Sequence, residues 1–199
     1  MTWAPHSSCK SCSDLTFYEF LLFLHIACAV LWVGGAAMFQ FFGLRVLASG
    51  DVNRLADFAG TVEWAGMRIL TPAALGALLA GFGLVWESDF WGIGDDWIVI
   101  GLILFGISFL AGAGFFGPES ARVKKLIESD GAVAAQGRIK RLIVLTRIDL
   151  VILFLIIFDM SVKPSFDDGG TLLGAIAVAA VLAALFTVPT LRARPATTG

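Results

Sequence analysis

The chain alternates long apolar runs with shorter polar stretches. Five runs stand out, at approximately residues 17–42, 68–86, 97–117, 142–162 and 171–190. Crossing roughly 30 Å of hydrocarbon takes about 20 helical residues, and each run reaches that length. The runs are continuous and do not alternate with period two, which argues against a β-barrel. The first is too long for a signal-peptide core and has no basic region before it, so it is read as a mature helix. The pattern predicts an all-α, polytopic integral membrane protein. Its five-helix transmembrane domain spans 17–190, between an N-terminal tail at 1–16 and a C-terminal tail at 191–199.

Small residues recur where helices would meet. Ala73, Ala77 and Gly81 fall on one stripe of the second run, Ala175, Ala179 and Ala183 on one of the fifth. Such stripes let backbones approach closely where lipid removes the hydrophobic incentive to associate. Pro72 is expected in the first turns of the second helix, and Pro118 and Pro164 just past the ends of the third and fourth. The connections at 52–65 and 119–129 mix apolar and charged residues at helical spacing. Each is expected to lie at the membrane interface, with Gly131 breaking the second. No long repeat is apparent, so an inverted-repeat transporter gains no support.

Composition agrees and adds orientation. The chain is 58% hydrophobic and 15% charged, against about 45–50% and about 25% in soluble domains. A single soluble domain of 199 residues could not bury so much apolar surface, so the lipid bilayer is the expected partner. A formal net charge of −2 with no dominant basic patch argues against nucleic-acid binding. Eleven of the 14 Lys and Arg residues fall after the first and third runs and in the C-terminal tail. Only Lys10 and Lys163 fall on the other side, with Glu87, Asp89, Asp95 and Asp96. The positive-inside rule then puts the N-terminus outside and the C-terminus in the cytoplasm.

Ionisable groups within a span are costly and default to functional candidates. Here they are Glu19, His25, Arg147, Asp149 and Asp159. Asp159 has Lys163 four residues on, a spacing that predicts a local ion pair. Arg147 and Asp149 face opposite sides of their helix and need partners elsewhere, among them Arg45, Arg68 and Glu119. The choice there is between a structural ion network and a proton or ion path. Tyr18, His25, Trp32 and Phe39 recur every seven residues and share one face, with Cys28 one turn below His25. Imidazole can ligate haem iron or copper, and Tyr18 and Trp32 could line a porphyrin face. The plainer reading is an interior histidine, hydrogen-bonded to a neighbouring helix within an aromatic packing stripe. In the tail, His6, Cys9 and Cys12 have the spacing for one soft metal, Cys9 and Cys12 could equally form a disulfide, and a plain disordered tail needs neither.

Three stretches resemble a known group. Leu24-His-Ile-Ala-Cys-Ala-Val-Leu-Trp-Val-Gly-Gly-Ala36 is similar to the first helix of a bacterial membrane superfamily. That superfamily includes the copper-resistance protein D (CopD) domain, the membrane protoporphyrinogen oxidase (HemJ type) and a family of uncharacterised predicted integral membrane proteins. Met67–Ala73 and Met160–Pro164 fit the same group. The resemblance implies a four-helix transmembrane bundle plus a fifth helix, in a bacterial plasma membrane. From the oxidase branch it implies haem on His25. That branch has a lysine shortly after the tryptophan opening the third helix, whereas Trp97 is followed by Ile98, Val99, Ile100 and Gly101. Trp32–Ala36 and Phe116-Gly-Pro118 look closest to the uncharacterised family.

Three readings follow. The first is a haem- or copper-associated membrane protein using His25. The second is a non-catalytic structural component, alone, as a homo-oligomer or with a membrane partner subunit. The third is a small proton-coupled transporter using Asp149 and Arg147. No catalytic residue is assigned.

Overall fold

The computed structural model describes residues 16–192. Seven α-helices follow in order: α1 (Phe17–Ser49), α2 (Val52–Ala65), α3 (Thr71–Glu87), α4 (Asp96–Ala111), α5 (Gly117–Asp130), α6 (Ala132–Val162) and α7 (Gly169–Arg192). No strand occurs among the described residues. Two π turns, Gly66–Leu70 and Gly112–Phe116, join α2 to α3 and α4 to α5. Each joined pair is one continuous 35-residue helix, 53–87 and 96–130.

This continuity corrects two expectations. Pro118 does not follow the end of a helix, and 52–65 and 119–129 run on into the apolar helices instead of standing as separate pieces. A proline inside a helix removes one backbone donor and presses its ring on the carbonyl four residues back. A π turn widens the helix and can absorb that misfit. Both turns begin six residues before a proline, Gly66 before Pro72 and Gly112 before Pro118. In each, the N–H just before the proline reaches the glycine carbonyl, Thr71 to Gly66 and Gly117 to Gly112. The Thr71 hydroxyl donates to the same Gly66 carbonyl at 2.9 Å. Gly131 behaves as expected, closing α5 and opening α6 with φ +82.

The helices carry the bundle past the apolar runs at the end bearing the basic loops. There Leu55, Ala59, Val123, Ala135, Ile139 and Ile143 form a core of α2, α5 and α6, backed by Val46, Leu126 and Ile127. Val123 and Ala135 are fully buried. Asp51 caps α2 by accepting from the N–H groups of Asn53 and Arg54. The alternating character of these stretches is that of helices packing on one another.

Around the apolar runs the exposed surface is Phe, Leu, Ile and Val: Phe23, Val30, Phe41, Leu79 and Leu110 are all exposed. The chain is therefore an integral membrane protein with its apolar side chains turned to lipid. By length and hydropathy three helices can span, 17–46, 53–87 and 96–130. Gly169–Leu185 is apolar but shorter, and α6 carries Arg147, Asp149 and Asp159. The last difference has a physical reason. α6 packs against α1, α2, α4, α5 and α7, so protein surrounds the helix that carries charge within its apolar run.

Candidate functional site

α6 faces α4 along a seam that contains most of the buried polar groups. Asp149 accepts a hydrogen bond from the Ser108 hydroxyl of α4, and Ser108 is itself buried. The other Asp149 oxygen, Oδ1, is buried with no hydrogen-bond partner among the described residues. Ten residues further along α6, Asp159 is 2% exposed, and neither of its oxygens has a hydrogen-bond partner among the described residues. Its Oδ2 lies over Gly101 of α4, so close that a Cβ there would sit 2.9 Å away. Glycine at 101 lets this carboxyl group and the Met160 side chain sit against α4 without shifting. Gly101 lies four residues after Trp97, on the same face of α4. The Trp97 indole N–H is also buried without a partner among the described residues.

Lys163 does not pair with Asp159, contrary to the four-residue spacing. It closes α6 in the left-handed conformation, φ 51 and ψ 58, with its N–H on the Asp159 carbonyl. That turn carries the ammonium group onto two indoles. Lys163 Nζ is 4.0 Å from the centre of the Trp91 ring and 4.9 Å from that of Trp97. The two rings stand edge to face, 5.4 Å apart at 89°. Asp96 Oδ2 accepts from the Phe166 N–H at 2.9 Å, pinning the turn after α6 to the start of α4. Sequence reasoning missed this cluster. Its available signal was the pair of tryptophans flanking the turn into α4.

Of the partners considered for Arg147 and Asp149, Glu119 is engaged elsewhere. It accepts from Arg138 at 2.8 Å and from Arg122 at 3.4 Å. Burial alone would raise the Glu119 carboxyl, but these guanidinium groups outweigh it and hold it below the usual range. Arg45 and Arg68 are exposed. Arg147 is buried, on the turn of α6 next to Thr146. Thr146 accepts a hydrogen bond from Gln40 of α1 at 2.7 Å.

The seven-residue stripe of α1 faces inward along most of its length and meets a different helix at each step. His25 Nδ1 lies 2.7 Å from the Ala77 carbonyl of α3. The ring rests on Gly81, where a Cβ would be 3.2 Å from Nδ1 and Cε1. Trp32 packs edge-on against Phe105 of α4, and Phe39 against Phe58 of α2. Tyr18 is exposed at the start of the helix. His25 and Trp32 thus each contact a neighbouring helix, α3 and α4 respectively. Nδ1 must be the protonated nitrogen if it is to donate to Ala77, which leaves Nε2 as an acceptor. Cys28 is a free thiol against Gly76.

No group of three or more His, Cys, Asp or Glu residues placed to hold a metal occurs among the described residues. His6, Cys9 and Cys12, with the disulfide alternative, lie outside them.

A family model described as predicted integral membrane protein (DUF2269) matches residues 19–164. The match ends before α7, which packs chiefly on α6. No curated protein and no solved structure matches the chain.

Proposed function

This chain belongs to the DUF2269 family of predicted integral membrane proteins, and we propose that it is a small proton-coupled transporter whose working groups are Asp149 and Asp159 of α6. The observation that carries the reading is Asp159, buried between helices with both carboxyl oxygens unpartnered. An uncompensated charge in such a place costs several kcal/mol, so the group needs a proton or a cation to be stable there. Asp149 has one oxygen on Ser108 and one without a partner, a milder form of the same situation.

The two carboxyl groups are ten residues apart, about 15 Å along the helix. They do not hand a proton to each other directly. Each loads and releases its own as the seam opens toward one end of the bundle or the other. The reading places the N-terminus outside a bacterial plasma membrane, with Asp159 near the outer end.

The test is pH-dependent proton flux into liposomes holding the purified protein. Asp149→Asn and Asp159→Asn should each reduce the rate to that of empty liposomes while leaving the protein folded and monodisperse. Wild-type flux no greater than empty liposomes, or flux untouched by both substitutions, overturns the proposal.

A second reading is favoured by one observation at His25. Donation from one ring nitrogen to a backbone carbonyl is how ligating histidines are commonly oriented. The Ala77 carbonyl is so placed, and Nε2 could then hold haem iron or copper. Haem would supply one-electron chemistry when bound, while this chain orients His25 through Ala77.

A further inference from the structure

The seam ends, opposite the basic loops, in a cluster of two indoles and an ammonium group. Two indoles set perpendicular to each other present their π faces to one point. An ammonium group already occupies that point, the Nζ of Lys163. Such faces attract a Lys ammonium or a ligand cation through the ring quadrupole. Lys163 and Trp91 are both accessible from the surface.

A surface lysine resting on tryptophan would by itself be unremarked. Here a second observation points the same way. Asp159, one helical turn inward from Lys163, is 2% exposed with two unpartnered oxygens. Asp159 Oδ2 reaches Gly101, and Trp97 lies one turn nearer the mouth on the same face of α4. Trp97 thus lines the cage on the same face of α4 as the glycine that faces the carboxyl group. Its indole N–H is also buried without a partner. The cluster thus offers a π cage for a cationic head and, one helical turn further in, a buried carboxyl group and an unused indole donor.

Lys163 has the form of a resident stand-in. Its left-handed backbone is uncommon for a residue other than glycine. That backbone directs the ammonium group to the rings, and its own helix neighbour Asp159 is left without it. A lysine at that spacing would ordinarily take the carboxylate.

We propose that Trp91, Trp97 and Asp159 form a binding site for a primary alkylammonium ion, with the Lys163 side chain occupying the cage until the ligand displaces it. The proposal rests on the seam reading only in giving Asp159 a working role. It fails or holds on binding, whereas the seam reading fails or holds on flux.

The experiment titrates n-butylammonium chloride, a mimic of the lysine side chain, into the purified full chain in mild detergent. Tryptophan fluorescence is followed, with sodium chloride at matched ionic strength as the control. The expected result is a saturable change with n-butylammonium and none with sodium. Lys163→Gln should tighten binding by at least about threefold, because it removes the internal competitor. Lys163→Gly suits the left-handed backbone and gives the same test if the glutamine variant does not fold. Asp159→Asn and Trp97→Phe should each weaken binding. No saturable change, an equal response to sodium, unaltered binding in Asp159→Asn, or weaker binding in both Lys163 variants overturns the proposal.

Discussion

At the residue scale, His25 shows what spacing can and cannot reveal. Its place on an inward stripe with Trp32 and Phe39 was legible, because seven residues nearly complete two helical turns. What lay beyond the ring was not, since Ala77 and Gly81 are distant in sequence and only packing brings them to the imidazole. Asp159 failed in the opposite sense. Its spacing to Lys163 suggested a pair, but the backbone turns left-handed at Lys163 and sends the ammonium group to the tryptophans. Local arithmetic assumes the helix continues, and here it stops at the residue concerned. His25→Ala removes one hydrogen bond and opens a gap at Gly81. It should therefore destabilise the purified protein by about 1–3 kcal/mol, read as a lower unfolding midpoint in detergent. The absorption spectrum of the same samples tests the cofactor reading. A Soret band or bound copper in the wild type, lost in His25→Ala, supports ligation. A colourless, metal-free wild type sinks it and leaves only the stability shift.

At the element scale, the informative misreading concerns where helices stop. Pro118 and the polar composition after it signal an end, and propensity alone supports that. The structure instead spends one π turn and continues for a further 14 residues of α5. Those residues are held by tertiary contacts, with Val123 in the α2–α5–α6 core and Glu119 bonded across to Arg138 of α6. Such contacts are invisible in a one-dimensional pattern. The Glu119 link makes a pH prediction. Its carboxyl value is lowered from the ordinary 4.5, so its contribution to stability is present above that value. The contribution is lost as pH falls through the lowered folded-state value. Both arginines are largely exposed, so screening keeps the effect small. Glu119→Gln should lower the unfolding midpoint at neutral pH, and the gap from wild type should close on acidification. A gap that is constant with pH, or that widens in acid, would exclude an ionic link between α5 and α6.

At the scale of the whole molecule, charge is sorted more sharply than apolarity. Lipid-facing side chains cover the middle of the bundle, the basic residues gather around α2, α5 and the start of α6, and the acidic turns lie at the other end. The transporter reading and the proposed cation site both depend on which end faces the cell interior, because proton entry and cation capture are directional. The positive-inside rule answers this only statistically, and accessibility answers it directly. Arg54 on α2 and Asp167 in the turn before α7 are both exposed and sit at opposite ends. Each can be replaced by cysteine in a chain whose Cys9 and Cys12 are serine, which leaves Cys28 half-buried within α1 as the remaining thiol. A membrane-impermeant maleimide added to intact cells should label Asp167→Cys and spare Arg54→Cys until the membrane is opened. The reverse pattern would turn the protein over, placing the tryptophan cage on the cytoplasmic side and making its ligand an intracellular amine. Labelling of both from outside would mean that the extension of α2 and α5 does not lie across the bilayer from the α6–α7 turn, and the five-span topology would fall with it.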